Sequence, residues 1–98
     1  MANNGTATAI KTLDWRGNAI LYQVDPPASY YVWEDEEHIE RKTRHIIVSG
    51  VNSTFAHEAM AFPASSNGDP IQMLEMGCRR GTTTHGGVLS DLGYAITS

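Results

Sequence analysis

Tyr30-Tyr31-Val32-Trp33-Glu34-Asp35-Glu36-Glu37-His38-Ile39-Glu40-Arg41-Lys42-Thr43-Arg44-His45-Ile46-Ile47-Val48-Ser49-Gly50-Val51 is the stretch that decides the fold. Its two ends are rich in aromatic and β-branched residues, which suit a pleated surface. Its middle is charged, acids first and bases after. A reversal near His38 and Ile39 would set Glu36 across from Arg41 and Asp35 across from Lys42. Opposite charges facing each other across a hairpin favour such a register. A helix over the same residues would gain Glu37–Arg41 and Glu40–Arg44 pairs, but would bury only Ile39. The stretch therefore reads as a long hairpin, and residues 45–51 form the strongest strand of the chain, near the centre of a sheet.

Upstream, Thr6 to Thr12 alternates small, β-branched and polar residues and reads as an edge strand. Asp14-Trp15-Arg16-Gly17-Asn18 has turn chemistry and leads into a second strand, Ala19 to Asp25. Asp25-Pro26-Pro27 is expected to end that strand, because proline cannot donate to a ladder. Downstream, Glu58 to Ala64 reads as a further strand, with Met60 and Phe62 on one face and Ala59 and Ala61 on the other. Residues 65–70 are a turn cluster, and the state of Ile71 to Met76 is left open. Thr84 can cap a helix from His85 to about Leu92, with Val88, Leu89 and Leu92 facing the sheet. Gly86 and Gly87 weaken it, Gly93 ends it, and Tyr94 to Thr97 forms a last short strand. The fold expected is α+β, mainly β: an antiparallel sheet of about five to six strands with one short C-terminal helix packed on it. Residues 1–5 are expected to be a flexible tail and 6–98 a single globular domain.

The chain has 98 residues, 41% hydrophobic and 18% charged, enough apolar material for one modest core. Its net charge of −4 argues against a duplex nucleic-acid binder, which needs a basic footprint. With one cysteine, Cys78, no intramolecular disulfide can form. Met1-Ala2-Asn3-Asn4-Gly5 has neither a basic n-region nor an apolar h-region, so no signal peptide is expected. No apolar run approaches a membrane span. A cytoplasmic location, without membrane contact, is expected.

Three patterns could carry chemistry. The first is Arg79-Arg80-Gly81-Thr82-Thr83-Thr84-His85, with guanidiniums, hydroxyls and glycine running into a helix start. Such a loop could hold a phosphate or carboxylate, although the Gly-Lys-Ser/Thr ending of a P-loop is missing. Its plainer reading has the arginines pairing with surface acids and Thr84 only capping. The second is Cys78 with His85, which could pair as nucleophile and base. A lone cysteine is more often a small buried hydrophobe. The third is the acidic run Glu34, Asp35, Glu36 and Glu37, together with Trp15. Most aromatic rings are expected in the core. Trp15, beside its turn, is the first candidate among the rings for exposure, where it would anchor a partner; its plainer reading is that it folds back over the sheet edge. None of His38, His45, His57 and His85 has metal-ligand spacing, so no metal or other cofactor is expected.

Glu58-Ala59-Met60-Ala61-Phe62-Pro63-Ala64, Asn67-Gly68, Arg80-Gly81-Thr82, His85, Val88-Leu89 and Leu92-Gly93-Tyr94 together give the C-terminal half a resemblance to short uncharacterised proteins encoded by actinobacterial phages. Asp69-Pro70-Ile71-Gln72 departs from that pattern, in which an acidic residue and a tryptophan often follow the Asn-Gly turn. The resemblance transfers no activity. It implies a phage or prophage origin and, by analogy, an accessory or anti-defence role.

The expected function is a small non-enzymatic binding protein that occupies a protein partner through an acidic surface. An exposed sheet edge would allow a homodimer. The alternatives are a module sequestering a small anionic ligand in the 79–85 loop, and a Cys/His enzyme.

Overall fold

The computed structural model describes residues 5–14, 18–52, 57–72, 74–81 and 84–97. Within these the chain forms β1 (Gly5–Thr12), β2 (Ile20–Glu34), β3 (Glu37–Asn52), β4 (His57–Ala64), β5 (Gly77–Arg80), α1 (His85–Asp91) and β6 (Tyr94–Thr97). The strands make one sheet in the order β5-β4-β3-β2-β1-β6. Neighbours are antiparallel except β1 and β6, which run parallel. The mainly antiparallel sheet with one C-terminal helix is the fold the chain adopts, and β6 makes it a mixed sheet.

The centre is where hydrophobicity placed it. Ile46, Ile47 and Val48 of β3 are fully buried and pair with Tyr22, Leu21 and Ile20 of β2. Strand alternation splits these side chains between two faces. Tyr22, Val24, Ile46, Val48, Ala59 and Ala61 face α1 and meet its Val88 and Leu89, with Leu92 packed against them. Leu21, Ile47, Ala19 and Ala64 form a smaller core on the other face, with Leu13 against it. The 65–70 turn approaches that second core. Gly68 sits at φ +91°, and a Cβ there would lie 3.0 Å from Leu13 Cδ2, so both backbone and space call for glycine.

The sheet curls, because β5 and β6, at opposite ends of the strand order, both pack on α1. Leu92 lies over Gly77 of β5, and Ile96 of β6 reaches Gly86. Gly93, at φ +96°, ends the helix as its position predicts. Thr84 is the N-cap by backbone conformation, but its side chain makes no capping hydrogen bond.

Three expectations need correction. Gly5 belongs to β1 rather than to a tail; its N–H donates to Gly93 O (3.1 Å). Asp25-Pro26-Pro27 does not end the second strand. β2 runs through it, because the register jumps from Gln23↔His45 to Ala28↔Thr43. On the β3 side residues 24–27 thus face Arg44 alone, in an enlarged bulge where prolines, having no N–H, leave no donor unmet, while Val24 and Asp25 stay paired with Ala7 and Thr6 of β1. Tyr94 Oη caps the Pro26 carbonyl (2.7 Å). Last, the long hairpin reverses earlier than expected, at Asp35 and Glu36, with Glu34 opposite Glu37 and Trp33 opposite His38. The expected Glu36–Arg41 and Asp35–Lys42 alignments do not form.

Candidate interaction surface

β1 pairs with residues 20–25 of β2, and β4 with residues 45–52 of β3. Among the described residues, 28–34 and 37–43 ladder only with each other. This part of the hairpin is a two-stranded arm extending past the body of the sheet. Such ribbons are marginal alone, and side chains brace this one. Arg41 Nη2 donates to Glu34 Oε2 (3.2 Å), Tyr31 Oη to Glu40 Oε1 (3.4 Å), and Lys42 Nζ to Ser29 Oγ (3.3 Å). Trp33 meets His38 edge to face, with centroids 4.7 Å apart. At the root, Tyr30 and Thr43 are buried, and Gln72 Nε2 donates to the Tyr31 carbonyl (3.2 Å).

Alternation gives the arm two faces. Tyr30, Val32 and Ile39 lie on the half-buried one. Tyr31 and Trp33 lie on the other, where they are 56% and 65% exposed. Aromatic composition places most rings in the core, and these two are exposed because β1 and β4 do not pair with this part of the hairpin. Their flanking by the charge run of residues 34–44 is the signal the sequence carries. Trp15, the ring singled out as a candidate anchor, falls outside the described residues. At the tip, Glu34, Asp35, Glu36 and Glu37 are all exposed. Asp35 and Glu36 both have positive φ, 48° and 63°, the pattern of a two-residue type I′ turn, which favours Asn-Gly. A side chain at positive φ costs energy, most clearly for a residue such as glutamate. Like-charged Glu34 and Glu37 directly opposite each other add a further cost, which Arg41 offsets.

The 79–85 segment is arranged differently from the expected loop. Arg79 and Arg80 lie in β5 and point to opposite faces of the sheet. Arg79 lies across Gly87, whose Cβ would be 2.9 Å from Nη1, and reaches Asp91 (Nε–Oδ2, 3.7 Å). Arg80, on the other face, has Glu58 Oε2 at 3.8 Å. Gly81, at φ +83°, donates to His57 O (2.8 Å) and extends the β4–β5 pairing. Thr82 and Thr83 lie outside the described residues. The described part of the segment does not bring its two guanidiniums together.

Cys78 and His85 are also apart. The Cys78 thiol is exposed and donates to Glu58 Oε2 (3.5 Å). Desolvation, then the Glu58 carboxylate, push its pKa up, against thiolate formation. His85 faces the helix-side core. Its Nδ1 is 2.9 Å from Tyr22 Oη. Burial raises the pKa of Tyr22, and the imidazole tautomer sets which of the two groups donates. Nε2 is buried with no hydrogen-bond partner among the described residues. Burial lowers the pKa of His85, against a smaller opposing pull from the Asn18 backbone. This is a core histidine bonded to a tyrosine.

Among the described residues, no group of three or more His, Cys, Asp or Glu side chains gathers into a cation site, and no helix is long and apolar enough to cross a membrane. Comparison with protein-family models, with characterised proteins and with solved structures finds no match to the chain.

Proposed function

We propose that this chain is a non-enzymatic binding protein that engages a basic protein partner through the tip and exposed face of the 28–43 arm. Glu34, Asp35, Glu36, Glu37 and Glu40 supply the charge, and Trp33 and Tyr31 the contact area. The observation that carries this reading is the turn: two acidic residues hold positive φ where Asn-Gly would be relaxed. Strain kept at an exposed site favours a functional reading over a structural one. Exposed tryptophan, rich in binding energy when buried at an interface, supports it. Complementary charge would speed encounter and make the rate fall with salt. If the chain is phage-encoded, as the resemblance read from its C-terminal half implies, the partner is a host factor and the chain an accessory or anti-defence protein.

The experiment is affinity capture from an actinobacterial host lysate, followed by binding kinetics with the recovered protein. Glu36→Lys/Glu37→Lys should lower the association rate at least tenfold at low salt while leaving the melting temperature nearly unchanged. Trp33→Ala should raise the dissociation rate. If charge reversal leaves binding to a stoichiometric partner intact, the acidic arm is not the recognition element.

A further inference from the structure

We propose that the cleft at the root of the arm is a socket for one apolar side chain of the same basic segment. This inference rests on the arm being the recognition element. The cleft has a volume of about 250 Å³, below the usual size of small-molecule sites and suited to a single side chain. Tyr30, Tyr31, Leu74 and Met76 give it apolar walls, with Glu75 also lining it. The hydrogen bond from Gln72 to the Tyr31 carbonyl ties its far wall to β2, so the cleft is pre-formed. Leu74, 66% exposed, and Tyr31, 56% exposed, both line it, so the cleft opens onto exposed apolar side chains, the kind of surface that interaction sites present.

Charge selects the occupant. Glu75 at the cleft and Glu40 along the arm lead to the carboxylates of Glu34, Asp35, Glu36 and Glu37 at the tip. Arg41 is paired with Glu34 and Lys42 donates to the neutral Ser29 hydroxyl, and the six carboxylates outnumber these two cations. A second copy would bring its own acidic tip against this one, and a neutral apolar peptide would leave the acids unmatched. An extended segment with an apolar anchor and nearby arginines or lysines satisfies both parts of the surface. From Tyr31 to the turn at Asp35 the strand rises about 13 Å at ~3.3 Å per residue. The basic residues therefore lie about four positions from the anchor.

The test uses two fluorescein-labelled peptides and the full chain. One carries a central leucine with arginine pairs four residues away on either side, in a Gly/Ser background. Its twin has serine in place of the leucine. Fluorescence anisotropy should give about tenfold tighter binding for the leucine peptide, the gain expected from partly burying one leucine side chain. Leu74→Ser should abolish that difference while leaving the affinity of the serine twin unchanged. Glu36→Lys/Glu37→Lys should weaken both peptides. Equal affinities for the two peptides, or a leucine advantage that survives Leu74→Ser, would overturn the socket and leave the acidic docking reading standing. Failure of both peptides to bind would count against both. Self-association that excludes the peptides and is lost in Leu74→Ser would assign the cleft to a second copy and overturn the proposal.

Discussion

Replacing the tip by Asp35→Asn/Glu36→Gly should make the protein more stable and a worse binder. Both residues hold left-handed backbone, at φ 48° and 63°. Left-handed backbone costs a side-chain-bearing residue roughly 1–2 kcal/mol, and less for aspartate or asparagine, whose short side chains tolerate it. Glycine at position 36 removes that penalty but loses about 0.5–1 kcal/mol through the greater freedom of the unfolded chain. The net gain is then about 0.5–1 kcal/mol. A small domain gains roughly 4–8 °C per kcal/mol, so the midpoint should rise by about 2–8 °C in a circular-dichroism melt. The exposed tip residues carry no core contacts that could offset the change. Removing two carboxylates from the tip should at the same time weaken binding of an arginine-rich peptide. A melting temperature that is unchanged or lower would refute the strain on which the functional reading leans.

Leu89→Ala, at a position with 0% exposure between helix and sheet, should cost about 2–5 kcal/mol in urea unfolding, whereas Trp33→Ala, at 65% exposure, should change stability by no more than ~0.5 kcal/mol. Tyr22→Phe strips the hydrogen-bond partner from His85 Nδ1 and should cost about 1–3 kcal/mol. Because burial lowers the pKa of His85, only the unfolded chain takes up its proton as pH first falls below the ordinary imidazole value near 6.5. The histidine's contribution is therefore complete above that value and declines as pH falls through the depressed native one, and the acid-side loss of melting temperature should be shallower in His85→Gln. For Cys78, whose pKa is raised by desolvation and by Glu58, iodoacetamide should react slowly at neutral pH despite the exposure of the thiol, and Glu58→Gln should speed alkylation.

Features set by local chemistry were readable in the sequence. The apolar run at Ile46-Ile47-Val48 located the sheet centre. The spacing of Val88, Leu89 and Leu92 gave the buried side of α1, and Gly93 its end. Features set by which strands run out of neighbours were not. Pro26-Pro27 reads locally as a stop, yet a bulge absorbs it. Charge pairing places the hairpin turn near His38 and Ile39, but Val32↔Ile39 and Trp33↔His38 pairing centres it on Asp35 and Glu36, of which the glutamate is a poor turn former. Tyr31 and Trp33 have core composition and become exposed only because β1 and β4 end before reaching them. The acidic half of the candidate site, Glu34 to Glu37, was visible as a charge run; its aromatic half and the adjoining cleft depend on that long-range geometry. Arg79 and Arg80 looked like a loop pair because glycine and threonines follow them, but pairing with β4 puts them in a strand, where neighbours point apart.

The most direct measurement shortens the arm, joining Tyr31 to Glu40 through an Asn-Gly turn and deleting residues 32–39. The sheet body should keep its circular-dichroism spectrum and melt within a few degrees of the parent, while capture of the basic partner is lost. Undiminished capture by a folded, armless protein would contradict recognition by the arm, and collapse of the fold would contradict its independence from the body.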